Sequence, residues 1–412
     1  MKRTLLISLA LMALLALLAS AQNKPYITKV YDLVPAPGQF INTMPTFSYV
    51  VGEPRDSVIA RAEKAICGTT KITSEEVEMP DGSIVYVNDT TYNVKPGLIS
   101  LGSFGGYVIF GFDHPVVNVK DEYDLQIFGN GFQAEGSSTA GGSSEPGIVM
   151  VSRDINGNGI PDDPWYELAG SEYDNPRTQH HFTITYYKPD ENKTPVPGTG
   201  SIIDTEYIRW TCNSVDSLQE GYVFKNSFHR QSYWPQWVEG ETLTFEGTKL
   251  PCNAANEGTG TTEYWVQRFY DWGYVDNRTD WAYDYAYNDP AAYEKANKGF
   301  KIDWAVNSEG RHVRLHKIDF VKVYTGILQY CGWLGETSTE VAGAVDLHPQ
   351  QALSLIRGDV NLDGAVNVLD ISALINMIMA YTPTDAELGD VNRDSRVNVS
   401  DITALIDIIM NS

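Results

Sequence analysis

Residues 358–370 and 389–401 carry the same set of oxygen-bearing side chains twice. Asp359, Asn361, Asp363, Asn367 and Asp370 stand at positions 1, 3, 5, 9 and 12 of the first segment. Asp390, Asn392, Asp394, Asn398 and Asp401 stand at the same positions of the second, 31 residues further on. Alternate residues of a tight loop point inward, and position 7 (Ala365 and Arg396) adds a backbone carbonyl to each set. A calcium ion takes about six to eight hard oxygen ligands in flexible geometry, which is what such a loop supplies. Three carboxylates in so short a stretch repel one another unless a cation stands among them. The chemistry expected is two Ca2+ sites.

A third loop has related chemistry without the repeat. Asp154, Asn156, Asn158 and Asp162 alternate, the Ile160 carbonyl lies between them, and Gly157 and Gly159 permit a tight turn. Either a third calcium site or an ordinary Asn-Gly turn fits these residues. Aromatic residues crowd residues 233–287, and among them Trp234, Trp237, Trp272 and Trp281 could stack on the flat C–H faces of sugars or fill a core. Carboxylates that could act as a hydrolytic pair include Glu145, Glu167, Asp271, Asp276 and Asp303, but no spacing singles out two of them. His180, His181 and His229 have no nucleophile motif beside them and read as strand or loop residues, so no catalytic residue is assigned.

The elements that position these groups differ between the two ends of the chain. After each C-terminal loop comes an apolar stripe, Ile371, Leu374, Ile375, Ile378 and then Ile402, Leu405, Ile406, Ile409, spaced i, i+3, i+4, i+7. Two helices can bury those stripes against each other. The resulting core is thin enough that folding should depend on the metal. Residues 22–345 read instead as mainly β. Short apolar runs at 106–112, 123–128, 147–151, 181–187, 241–245 and 318–324 are separated by Gly, Pro, Asn and Asp, the pattern of an antiparallel sandwich or jelly roll. Residues 57–66 are the helix expected in this half, stopped near Gly68; 133–146 form a flexible loop, and 282–298 an insertion.

At the scale of the whole chain, Lys2 and Arg3 precede an apolar run from Leu5 to Leu18 and an Ala19-Ser20-Ala21 cleavage pattern. That reads as a signal peptide over residues 1–21, too short to span a bilayer comfortably. No other segment is long and apolar enough to cross a membrane, so an exported protein without a transmembrane segment is expected. Its destination is the medium or cell surface, with the periplasm not excluded. A formal net charge of -23 argues against nucleic acid, which requires a basic face. Cys67, Cys212, Cys252 and Cys331 lack metal-type spacing; export permits disulfides, and Cys212–Cys252 is the pair favoured.

The repeated loop-helix segment resembles a type I dockerin over residues 357–412. The resemblance implies a calcium-dependent plug for a cohesin-like protein domain, joined to the β region by a linker over 346–356. Two features depart from it: Ser395 replaces glycine at position 6 of the second loop, and positions 10 and 11 are Val368-Leu369 and Val399-Ser400. Stretches at 123–132, 144–151, 165–171 and 318–325 resemble secreted cell-surface proteins of gut anaerobes with a jelly-roll sandwich. Three functions follow as expectations: glycan recognition by the sandwich, polysaccharide hydrolysis, or a binding role in uptake of vitamin B12 or another nutrient.

Overall fold

The computed structural model describes residues 22–42, 53–78, 84–133, 141–215, 218–259, 262–278, 299–379 and 385–411. The expected signal segment, Trp281, the insertion at 282–298 and residues 134–140 of the expected loop lie outside the described residues, while Gln133 and Gly141–Ser143 of that loop belong to strands.

Every strand pairing among the described residues is antiparallel. Six strands form the main sheet in the order Lys29–Val34, Tyr107–Gly111, Phe320–Thr325, Gly147–Ser152, Trp165–Leu168, Ala305–Val306. Successive side chains leave a strand on opposite faces, and here both faces are covered. Val149, Val151, Val321 and Val323 enter one core, which also receives a helix, α1 (Arg55–Ile66). Ile148 and Tyr324 enter a second core, shared with Phe182, Ile184, Tyr186, Trp210 and Phe245. Those residues come from a four-stranded sheet ordered Glu220–Asn226, Ile202–Cys212, Gln179–Tyr187, Thr242–Lys249. Burial on two faces explains why the central strands read as unbroken apolar runs while Gln179–Tyr187 alternates. Each fully buried Val, Leu, Ile or Phe contributes about 1.5–3 kcal/mol over an exposed one.

The expected strand at 318–324 is interrupted at Asp319. Its backbone N–H donates to Ser152 O (2.9 Å), and its carboxylate accepts from the Asp154 N–H (2.9 Å), so it anchors the oxygen-rich loop. α1 buries Val58, Ala62, Ala65 and Ile66 and stops at Cys67. Gly68 then runs against Tyr26, where a Cβ would lie 2.3 Å from the ring.

The C-terminal module contains α2 (Val368–Ile378), α3 (Ala386–Gly389) and α4 (Val399–Asn411). Its small core is built on the repeat: Val360 with Val391, Leu374 with Leu405, and Met377. One part of the expected stripe is corrected. Ile375 and Ile406 are 41% and 43% exposed, and Met377 and Ile408 pack in their place. Among the described residues no helix is long and apolar enough to cross a membrane.

All four cysteines are free, so the expected Cys212–Cys252 bridge is not formed. Each thiol turns to a different backbone carbonyl, Cys212 Sγ to Leu218 O and Cys252 Sγ to Leu328 O, both at 3.6 Å.

Candidate metal loops and an acidic cleft

The two C-terminal loops share one hydrogen-bond pattern, donor by donor. Asp359 accepts from the N–H groups of Asp363 (3.0 Å) and Gly364 (2.9 Å); Asp390 accepts from Asp394 (2.9 Å) and Ser395 (2.8 Å). Asn361 and Asn392 accept from the N–H of position 5, and Asp363 and Asp394 from that of position 7. Asp370 and Asp401, both fully buried, close the loops by accepting from positions 3 and 9. Asn367 caps α2 through the N–H of Leu369 (2.8 Å), and Asn398 bonds Ser400 in the same way (2.9 Å). The side-chain oxygens are thus fixed by the backbone of their own loop. Each donor set is hard oxygen throughout, with three carboxylates, so the residues fit a calcium ion. Burial raises the Asp359 carboxyl above its ordinary range, and the nearby Asp370 and Asp363 charges add to the rise.

The backbone must enter the left-handed region at positions 4 and 6 to turn those oxygens inward. Leu362 (φ 58°) and Gly364 (φ 85°) do so in the first loop, Arg393 (φ 64°) and Ser395 (φ 67°) in the second. The sandwich loop does the same with Gly157 (φ 72°) and Gly159 (φ 70°). Its bonds match too: Asp154 accepts from Asn158 (3.0 Å) and Gly159 (2.8 Å), Asn156 from Asn158 (3.0 Å), and Asn158 from Ile160 (2.7 Å). Asp162, at position 9, accepts from the Asn156 and Asn158 amides. No helix follows, and Asp163 accepts from the Ile155 N–H (3.0 Å) instead.

The aromatic residues singled out above are dispersed. Trp234 is buried in the second core, though with half-buried Trp237 it borders a cavity of about 340 Å³. Trp272 pairs with Trp304, ring centres 4.6 Å apart. A larger cleft, about 630 Å³, has a different set of rings along its walls: Phe40, Phe132, Phe228, Tyr264, Trp265 and Trp333. Phe132, Phe228 and Trp333 are exposed there.

Glu145, Glu336 and Glu340 line the same cleft, and Asp276 lies behind them. Oxygens of Glu145, Asp276 and Glu340 lie within 4.8 Å of one another. Asp276 accepts from the N–H groups of Asn130 and Gly131 (2.7 Å each) and of Glu340 (2.9 Å). Glu340 accepts from Ser100 Oγ (2.9 Å) and Ser338 Oγ (3.1 Å). Glu336 Oε2 is buried with no hydrogen-bond partner among the described residues. Burial pushes the Glu336 carboxyl up to about 7 and Glu340 well above its ordinary range. Protons or a divalent cation can relieve the repulsion in this group.

Of the carboxylates considered from sequence, Glu145 and Asp276 meet here. Glu167 is held elsewhere by Thr248 Oγ1 (2.6 Å) and pushed up to about 7 by burial, and Asp303 accepts from Asn118 (2.8 Å). Glu336 and Glu340 were not singled out. Nothing in 336–341 but a polar run before a strand marks them. His229 borders the cleft, its ring centre 4.5 Å from that of Phe40.

A family model described as "Dockerin type I domain" matches residues 357–410. No curated protein matches the chain.

Proposed function

Because residues 357–410 are a type I dockerin domain, a calcium-dependent module for docking onto cohesin partners, we propose that the chain is exported and carries its β-sandwich to a cohesin-bearing partner. The matching bond networks of the two loops carry this reading. Calcium would be held in the first loop by Asp359, Asn361, Asp363, Ala365, Asn367 and Asp370, and in the second by Asp390, Asn392, Asp394, Arg396, Asn398 and Asp401. When bound, it neutralises the carboxylates and ties each loop to the helix that follows. The same backbone turn supports a third site at Asp154, Asn156, Asn158, Ile160 and Asp162. There an ion would pin a sandwich loop. Val368, Leu369, Ile375, Val399 and Ile406 are all exposed on the module, an apolar set suited to a partner surface.

For the sandwich we propose glycan recognition in the 630 Å³ cleft. Its exposed rings suit sugar C–H faces, and carboxylates at its base accept hydroxyl protons. The base of the cleft is crowded, with oxygens of Glu145, Asp276 and Glu340 within 4.8 Å of one another, a cluster suited to hydrogen-bonding several hydroxyls of one ligand. A base of carboxylates favours a polyol over a corrinoid. A glycan array run with the full chain and with Trp333→Ala tests this. Binding by the parent that the variant loses supports the cleft. Equal signals from both, or none from the parent, contradict it.

A further inference from the structure

The dockerin does not hang free of the sandwich. Asp385 and Glu387, at the start of α3, meet a basic face of the sandwich made by Arg153, His316 and Lys317. Arg153, buried to 5% exposure, pairs with Asp385, itself 6% exposed. Its second guanidinium nitrogen lies 3.3 Å from Glu387 Oε2. His316 Nε2 lies 2.9 Å from that same oxygen, and Lys317 Nζ 2.8 Å from Glu387 Oε1. A few residues away Arg314 reaches the carbonyl of Asn361, position 3 of the first calcium loop, at 3.4 Å. A cavity of about 500 Å³ at this junction is bordered by Arg314 and His316 on one side and by Asp359, Asp363 and Gly364 on the other. Arg153 also directly precedes Asp154, the first residue of the sandwich's own oxygen loop.

We infer that this basic face is the intramolecular dock of the dockerin, and that docking is coupled to calcium at the first loop. The physical argument is linkage. The loop's backbone meets Arg314 while in the turned form that the ion would stabilise. Whatever the ion adds to that turn favours the docked arrangement, and docking adds as much to ion affinity. The dock is separable rather than permanent. Buried ion pairs return little net stability after desolvation, and Arg153 Nε and His316 Nδ1 lack hydrogen-bond partners among the described residues. The sandwich touches only the first loop directly among the hydrogen bonds and ion pairs described, while the second loop is tied to the dock through the chain, Asp390 being the C-cap of α3. Cohesin docking would then present the sandwich in a set orientation whenever calcium is present.

The inference rests on calcium binding at the first loop, and the experiment separates the two. Calcium is titrated calorimetrically into the full chain carrying Asp390→Ala, which leaves the first loop intact, with and without Glu387→Gln. X-ray scattering of both proteins is recorded with calcium and with chelator. Glu387 is partly exposed, so its amide preserves shape and folding; Lys317→Ala is the parallel variant should it not. The expected result is about 5- to 20-fold weaker calcium binding in the clamp variant, with a larger radius of gyration, and expansion of the parent on chelation. Equal affinity in the two proteins overturns the coupling while leaving calcium binding intact. Loss of first-loop binding in the parent itself overturns the metal reading on which the coupling rests.

Discussion

At residue scale, most of the loop chemistry is legible because ligand spacing is a local property. The side chains at positions 1, 3, 5 and 12 accept hydrogen bonds from the backbone of their own loop. Ser395 is the local exception. At φ 67° it occupies a conformation that glycine adopts freely and other residues adopt at about 1 kcal/mol. Ser395→Gly should raise calcium affinity at the second loop several-fold, read by calorimetry; unchanged affinity would mean that the strain is absorbed elsewhere. The acidic cleft was half visible. Glu145 and Asp276 were among several carboxylates, but their meeting with Glu340 depends on strands far apart in sequence. Burial can be tested through Glu167, whose carboxyl is pushed up to about 7 from an ordinary 4.5. A raised acid contributes stability fully below its unfolded pKa and loses it as pH rises through the folded value. Stability should therefore fall by roughly 1–3 kcal/mol between pH 4.5 and 7.5 on this group's account. Glu167→Gln should flatten that slope in denaturant melts across the same range, and an unaltered slope would contradict the assignment.

At element scale, periodicity located the strands and helices but not their partners. The runs at 147–151 and 181–187 became strands with nearly the expected limits, because apolar residues alternate or cluster only where a sheet face is covered. The run at 318–324 hid a break, since Asp319 was needed to hold the Asp154 loop. In α2 and α4 the i+4 isoleucines, Ile375 and Ile406, face outward. A lone helix cannot disclose this, because i+3 and i+4 flank the same stripe and the packing angle decides between them. Two equivalent exposed isoleucines lie on the face proposed above for the partner. Ile375→Asp with Ile406→Asp should weaken cohesin binding about 30- to 900-fold, the equivalent of removing about 2–4 kcal/mol of interface burial. The melting temperature of the calcium-loaded chain should move little. Undiminished binding would place the docking face elsewhere.

At the scale of the molecule, composition indicated a β-rich body with a helical tail, and the structure is mainly β with a small helical region at its C-terminal end. Composition could not show that the tail is fastened to the body. Arg153 and Asp385 are separated by 232 residues, and no spacing in the sequence links them. The disulfide expectation failed for a related reason: pairing depends on where the thiols point, and these point to separate carbonyls. An ionic dock should weaken in salt. Scattering of the full chain at 0.05 M and 0.5 M sodium chloride with calcium present should show expansion at the higher concentration, and an invariant radius would argue for a fixed hydrophobic junction. Beneath all of this lies the claim that the tail is organised around calcium. Calcium titrated into the chelator-stripped full chain, followed by heat and far-ultraviolet circular dichroism, tests it most directly. The account predicts saturable uptake with a gain in helicity, and two fewer ions with no such gain when Asp359→Ala and Asp390→Ala are combined. Equal uptake and unchanged ellipticity in parent and double variant would contradict it.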